Sequence, residues 1–216
     1  MATPELARTD RTALRRHPER GSHDRAQVEA ILDDGYVAHV GFTVDGEPRV
    51  LPMAYGRIDD VLYLHGAVGN AMLRASDGAP VCVTVTHLDG LVAARSQYHH
   101  SMNYRSVVLV GRAEKVTDDE EKAAALAAIV DQALPGRSRV ARPASPGEAR
   151  ATLVLRLPIA EGSAKVRAGG PVDEPEDMDL EVWAGVVPLR VVAGAPVQDP
   201  LQEAVLAPPE VRAPTV

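Results

Sequence analysis

This sequence of 216 residues predicts a mainly β fold, a small antiparallel barrel with two or three flanking helices. Three observations lead there. About eight short aliphatic or β-branched runs recur at hairpin spacing, with turn signals such as Asp45-Gly46 between them. Apolar residues fall at helical spacing in only a few stretches, chiefly after Asp24 and over Glu120 to Leu134. Hydrophobic residues make up 45% of the chain and aromatics only 3%, so the expected core is sizeable and aliphatic.

Residues 1–23 are charged and run through Arg15-Arg16-His17-Pro18-Glu19-Arg20, which reads as an extended arm laid over the domain or a partner. The domain itself is expected over residues 24–192. Asp24 can cap a helix carrying Val28, Ile31 and Leu32 and closed by Gly35. Strands follow at Val37 to Val44, Arg49 to Tyr55 and Val61 to His65, a three-strand meander. Pro52 lacks an amide donor, which confines it to an edge or an irregular position. A segment from Gly66 to Asn70 opens a short helix reaching about Ala75. Val81 to Thr86 and Leu91 to Ser96 form a hairpin about Leu88-Asp89-Gly90, and Ser106 to Val116 is the longest strand. Acidic residues from Asp118 to Glu121 start the Ala-rich helix. Arg137 to Pro146 is a Pro/Arg-rich linker, and strands return at Ala151 to Leu157, Gly162 to Arg167 and Val182 to Val191. The Pro-rich stretch 193–216 reads as an extended tail.

Composition narrows the partners. The formal net charge is −7 with scattered basic residues, which argues against a nucleic-acid groove and for a small molecule. The single cysteine, Cys82, leaves no disulfide framework and fits the reducing cytoplasm. No stretch approaches about 18 apolar residues, so no membrane segment is expected. Fingerprints for dinucleotides, phosphate loops, zincins and α/β-hydrolases are absent.

The stretch from Tyr98 to Glu114 departs most from what packing requires. His99, His100, Ser101, Met102, Asn103, Tyr104 and Arg105 run straight into the apolar strand Val107 to Val110. That is the layout of a ligand site, or equally of a solvated loop. Arg105, with Ser101 and Asn103, is expected to fix a cofactor or a facing subunit through its rigid guanidinium fork. His99 and His100 are adjacent, point opposite ways if extended, and make a poor metal pair; no metal site is expected. Four weak signals converge on a phosphorylated flavin. The interrupted strand Arg49-Val50-Leu51-Pro52-Met53 offers backbone to a flat ring, and the helix start at Gly66 to Ala71 offers amides to a phosphate. Arg49 and Arg105 offer charge, and Trp183 an aromatic face.

These residues, with Leu62-Tyr-Leu-His-Gly66, Leu88-Asp-Gly-Leu-Val92, Ser163-Ala-Lys-Val-Arg167 and above all His99-His-Ser-Met-Asn-Tyr-Arg-Ser-Val107, carry a resemblance. The sequence resembles the pyridoxamine 5'-phosphate oxidase-like, FMN-binding split-barrel proteins, in the branch near nitroimidazole-resistance reductases. The resemblance implies an antiparallel split β-barrel that binds FMN at a homodimer interface. It implies contacts from Arg49 to Met53, from Leu64, His65 and Gly66, from Asn70 and Ala71 near the phosphate, and from Ser106, with Trp183 near the flavin. The expected activity is FMN-dependent oxidoreduction of a small organic acceptor, with no side chain needed as acid or base. The alternative is a non-catalytic carrier of flavin, haem or another tetrapyrrole, and a deazaflavin could replace FMN. Asn70 and Ala71 stand where the oxidases carry a basic pair, and the tail lacks their basic substrate motif. Both departures argue against pyridoxamine phosphate as substrate.

Overall fold

The structure, a computed structural model, describes residues 4–204 and 206–211; residues 205 and 212–216 of the expected tail and 1–3 of the expected arm lie outside them. The arm runs along the domain, with Leu6 buried in the core and β1 (Gly21–Ser22) paired to a later strand. Helix α1 (Arg25–Asp34) begins as its sequence predicts. The Asp24 carboxylate accepts the Gln27 amide at 2.8 Å, and Val28, Ile31 and Leu32 are buried. Strands β2 (Ala38–Val44) and β3 (Glu47–Met53) meet at Asp45-Gly46, whose φ angles of 52° and 81° suit a two-residue hairpin turn. β3, with Pro48 and Pro52, is a sheet edge paired to β2 alone.

Here the meander expectation gives way. β4 (Tyr55–Ile58) pairs with β5 (Val61–Ala67) and not with β3, so the chain makes two hairpins in two sheets. Tyr55 turns it inward: the ring is fully buried and its hydroxyl donates to the Leu32 carbonyl at the end of α1. Helix α2 (Ala71–Ser76) follows. β6 (Pro80–Ala93) is one 14-residue strand where a hairpin was expected, because Asp89 is absorbed as a bulge in a ladder with β7 (Ser101–Arg112). β7 therefore begins at Ser101, and the polar run from Ser101 to Arg105 is strand. After β8 (Glu114–Lys115), α3 (Asp119–Ala133) starts on the Asp118 cap. Helix α4 (Pro146–Ala151) begins at the last residue of the expected linker and is opened by a capping box between Ser145 and Glu148. β9 (Thr152–Pro158) and β10 (Gly162–Arg167) match their runs. β11 (Gly185–Pro188) is shorter than expected and leaves Trp183 outside it.

The strands form two antiparallel sheets with flanking helices. One has the order β1-β10-β7-β6-β2-β3, with β11 on β6; the other is β4-β5-β9-β8. The sheets do not close into a full barrel. The aliphatic core lies between them and includes Val40, Leu62, Leu64, Val83, Val107, Leu109 and Leu155. A smaller cluster, Tyr63, Val116, Ala125, Ile129 and Val154, packs α3 onto the outer face of the four-stranded sheet. Among the described residues no helix is long and apolar enough to cross a membrane.

Candidate functional site

Side chains alternate across a strand, and this sorts the candidate residues by face. On β5, Leu62 and Leu64 enter the core between the sheets, while Val61, Tyr63 and His65 face α3. Gly66 shares the face of Leu64: a Cβ placed there would lie 2.6 Å from the Leu73 side chain and 3.5 Å from Asn70 Nδ2. The structure thus brings Gly66, Asn70 and Ala71 together and puts His65 on the opposite face.

The helix start expected to offer amides to a phosphate is already engaged. Asn70 Oδ1 accepts from the amides of Met72 and Leu73, at 3.0 and 3.4 Å. Asn70 acts as a helix cap, and those two donors point at its own side chain.

On β7 the four candidates also divide. Arg105 faces inward at the end of α1. Its Nη1 donates to Asp34 at 2.7 Å, and Nε and Nη2 clasp both oxygens of Asp89 at 3.1 Å each. The fork expected to hold a phosphate or a facing subunit is occupied by two carboxylates of its own chain, and the bulge at Asp89 supplies one of them. Asn103 is buried; its amide donates to the Gly169 carbonyl at 3.1 Å and its oxygen accepts from Arg167. Ser101 is half-buried opposite Val92. Ser106 faces outward, and its hydroxyl donates to the Lys165 carbonyl at 3.3 Å. His99 Nε2 lies 3.6 Å from Glu174, and His100 Nδ1 lies 2.8 Å from the Ser96 carbonyl.

The remaining candidates lie open. Val50 is 63% exposed on the outer sheet edge, beside exposed Arg49 and Leu51, Pro52 and half-buried Met53. Trp183 is 64% exposed and packs over Gly185. An aromatic this open in a chain with one tryptophan is the kind of group that a ligand or partner covers.

Sequence reasoning missed a cavity of about 760 Å³ between α3, the segment 138–145, α4 and the open ends of β5 and β9. Leu126, Ala127 and Val130 of α3 give it an apolar wall, and His65 lines it from the sheet side. Nδ1 of His65 is enclosed without a hydrogen-bond partner, and burial lowers the pKa of the ring. Alternation along Val61-Tyr63-His65 was the signal that could have set His65 apart from Leu64 and Gly66.

The outer wall of the cavity is held by a small polar lock. Arg142 grips both oxygens of Glu148, at 2.8 and 2.9 Å, and Glu148 also accepts the Ser145 amide at 2.6 Å. Arg142 first, and then the Ser145 amide, draw the Glu148 carboxyl down to about 2 from an ordinary 4.5. A depressed carboxyl contributes stability above its unfolded value, and that contribution is lost as pH falls from 4.5 toward 2. A carboxyl-carbon NMR titration should show this midpoint, and Arg142→Ala should raise it. A Glu148 midpoint that Arg142→Ala leaves in place would mean the lock is not formed.

Comparison with known proteins fits this geometry. The family model described as pyridoxamine 5'-phosphate oxidase matches residues 24–166. The structure of the flavocytochrome Anf3 from Azotobacter vinelandii is 41% identical, with a TM-score of 0.87, and 93% of this chain aligns with 94% of that one. A FAD- and haem-binding protein from Mycobacterium smegmatis is 40% identical, with a TM-score of 0.81 over 86% of this chain and 91% of that one. A putative 5-nitroimidazole antibiotic resistance protein from Bacteroides thetaiotaomicron is 27% identical, with a TM-score of 0.57 over 68% and 86%. No curated protein sequence matches the chain. With more than half of its length matched by the family model, and its strands in the same split-barrel arrangement as these structures, the chain is a member of the pyridoxamine 5'-phosphate oxidase family of flavin-binding proteins.

Proposed function

We propose that the protein is a flavin-dependent oxidoreductase acting on a small organic acceptor, that it works as a cytoplasmic homodimer, and that a haem accompanies the flavin as a second redox centre. The observation that carries the flavin reading is the outer edge of β3. It offers unpaired backbone and exposed Val50 and Leu51 to a flat ring, and Arg49, with no ion pair among the described residues, to a phosphate. A bound flavin supplies hydride and single-electron chemistry, and the chain's residues bind, orient and shield it. The haem is supported by the two similar proteins described as a flavocytochrome and as FAD- and haem-binding, and by a half-buried histidine with one enclosed, unpartnered ring nitrogen on the wall of a cavity of suitable size. The dimer is supported by Leu88, Leu91, Met102, Trp183 and Val187, all exposed toward one end of β6, β7 and β11.

The first test is the absorption spectrum of the purified protein, in which flavin and haem bands differ in shape. The mass of the released flavin separates FMN, which the resemblance implies, from FAD. Anaerobic reduction with a nicotinamide cofactor followed by a nitro-aromatic or quinone should give many turnovers; a single reoxidation would make the protein a carrier. Sedimentation as a monomer at micromolar concentration would overturn the dimer.

A further inference from the structure

The geometry points to His65 as the axial ligand of a haem seated in the cavity between α3, α4 and the four-stranded sheet, with the haem carboxylates at the cavity's basic mouth. This rests on the haem reading above and names its site and its protein ligand.

His65 stands apart among the seven histidines. His17 and His99 lie against Glu19 and Glu174; His23, His87 and His100 bond to the carbonyls of Gly162, Ile31 and Ser96; His39 is exposed. His65 alone combines an enclosed, unpartnered ring nitrogen with a place on a cavity wall. Buried polar atoms without a partner are rare, and each asks for a ligand or a functional reason. Burial also favours the neutral ring, the form that donates a lone pair to a metal.

The cavity selects the kind of metal. Among the described residues no three His, Cys, Asp or Glu side chains are grouped to hold a bare ion. A macrocycle that brings its own equatorial donors needs only one nitrogen from the protein. A volume of about 760 Å³ falls within the range of small-molecule sites, and the α3 wall is apolar. Beside it, a pocket of about 270 Å³ shares Lys122, Arg150 and Thr152 with the cavity and adds Arg74 and Lys115 against one carboxylate, Asp77. None of those four cations makes a side-chain ion pair among the described residues, so they are available to anionic groups. A flat apolar body edged with carboxylates matches both parts.

The test is titration of the full-length, haem-free protein with ferric protoporphyrin IX, followed by Soret absorption and low-temperature electron paramagnetic resonance. Wild type is compared with His65→Gly and His65→Met, with circular dichroism reporting folding. Wild type should show a histidine-ligated spectrum. His65→Gly should lose more than about tenfold in affinity and should regain the wild-type spectrum when free imidazole is added. His65→Met should give a thioether-ligated spectrum, and it decides the matter if the glycine variant does not fold. Wild-type protein that binds no haem would overturn the haem reading and this inference together. Haem bound by wild type with a spectrum that neither variant changes would overturn His65 and leave the haem reading standing.

Discussion

Gly56→Ala is expected to destabilise the protein by about 3 kcal/mol, at the upper end of the usual penalty for overpacking. A Cβ at position 56 would lie 2.6 Å from the Ile129 amide nitrogen and 2.7 and 2.9 Å from the carbonyl carbon and oxygen of Ala128. These are backbone atoms of α3 and cannot rotate aside, so the helix must lift from β4. Lifting it separates Ala125 and Ile129 from Tyr63 and Val154 and moves the apolar wall of the cavity. Urea denaturation should show the loss as a lower midpoint. Gly147→Ala makes the control, since its Cβ would have no neighbour nearer than 3.9 Å and should leave the midpoint almost in place. An unchanged midpoint for Gly56→Ala would mean that α3 is not seated on β4 this closely.

Arg105→Ala should lower stability by about 2–3 kcal/mol, well above the ~0.5 kcal/mol typical of an exposed arginine. The reason lies in what remains. Asp34 and Asp89 would face each other, partly buried, without the guanidinium that joins them, and Asp34 sits at the end of α1, where the helix dipole disfavours a negative charge. Replacing Asp34 by asparagine in the same molecule should restore part of the loss. Flavin affinity should fall only as far as folding does. Weaker flavin binding at unchanged stability would return Arg105 to the cofactor.

The contrast between these residues shows what the sequence could carry. The Asp24 and Asp118 caps and the Asp45-Gly46 turn are local signals, and each was legible because its partners lie within a few residues. The Ser145-Pro-Gly-Glu148 box was equally local, but the surrounding prolines and arginines hid α4. Leu88-Asp89-Gly90 serves a turn or a bulge alike; only the continuous ladder with β7 decides between them. The Tyr98 to Glu114 stretch stood out in the sequence as a ligand site or a solvated loop, but which group Arg105 holds is set by residues 16 and 71 positions away. The cavity is assembled from β5, β9, α3 and α4, and no single stretch of sequence spells it.

Pro48 and Pro52 have a consequence for how copies of this chain meet. An edge strand with a full row of outward amides is a template on which another strand can zip, and repetition of that event builds fibres. Two imino residues of the same parity on β3 remove two of those donors and leave Val50 isolated between them. The largest sheet therefore ends, at β3, in a row that can accept but barely donate, and that edge is a poor template for a neighbour's strand. Open-ended growth by strand addition is disfavoured at this edge, whereas a twofold contact between faces is closed by its own symmetry.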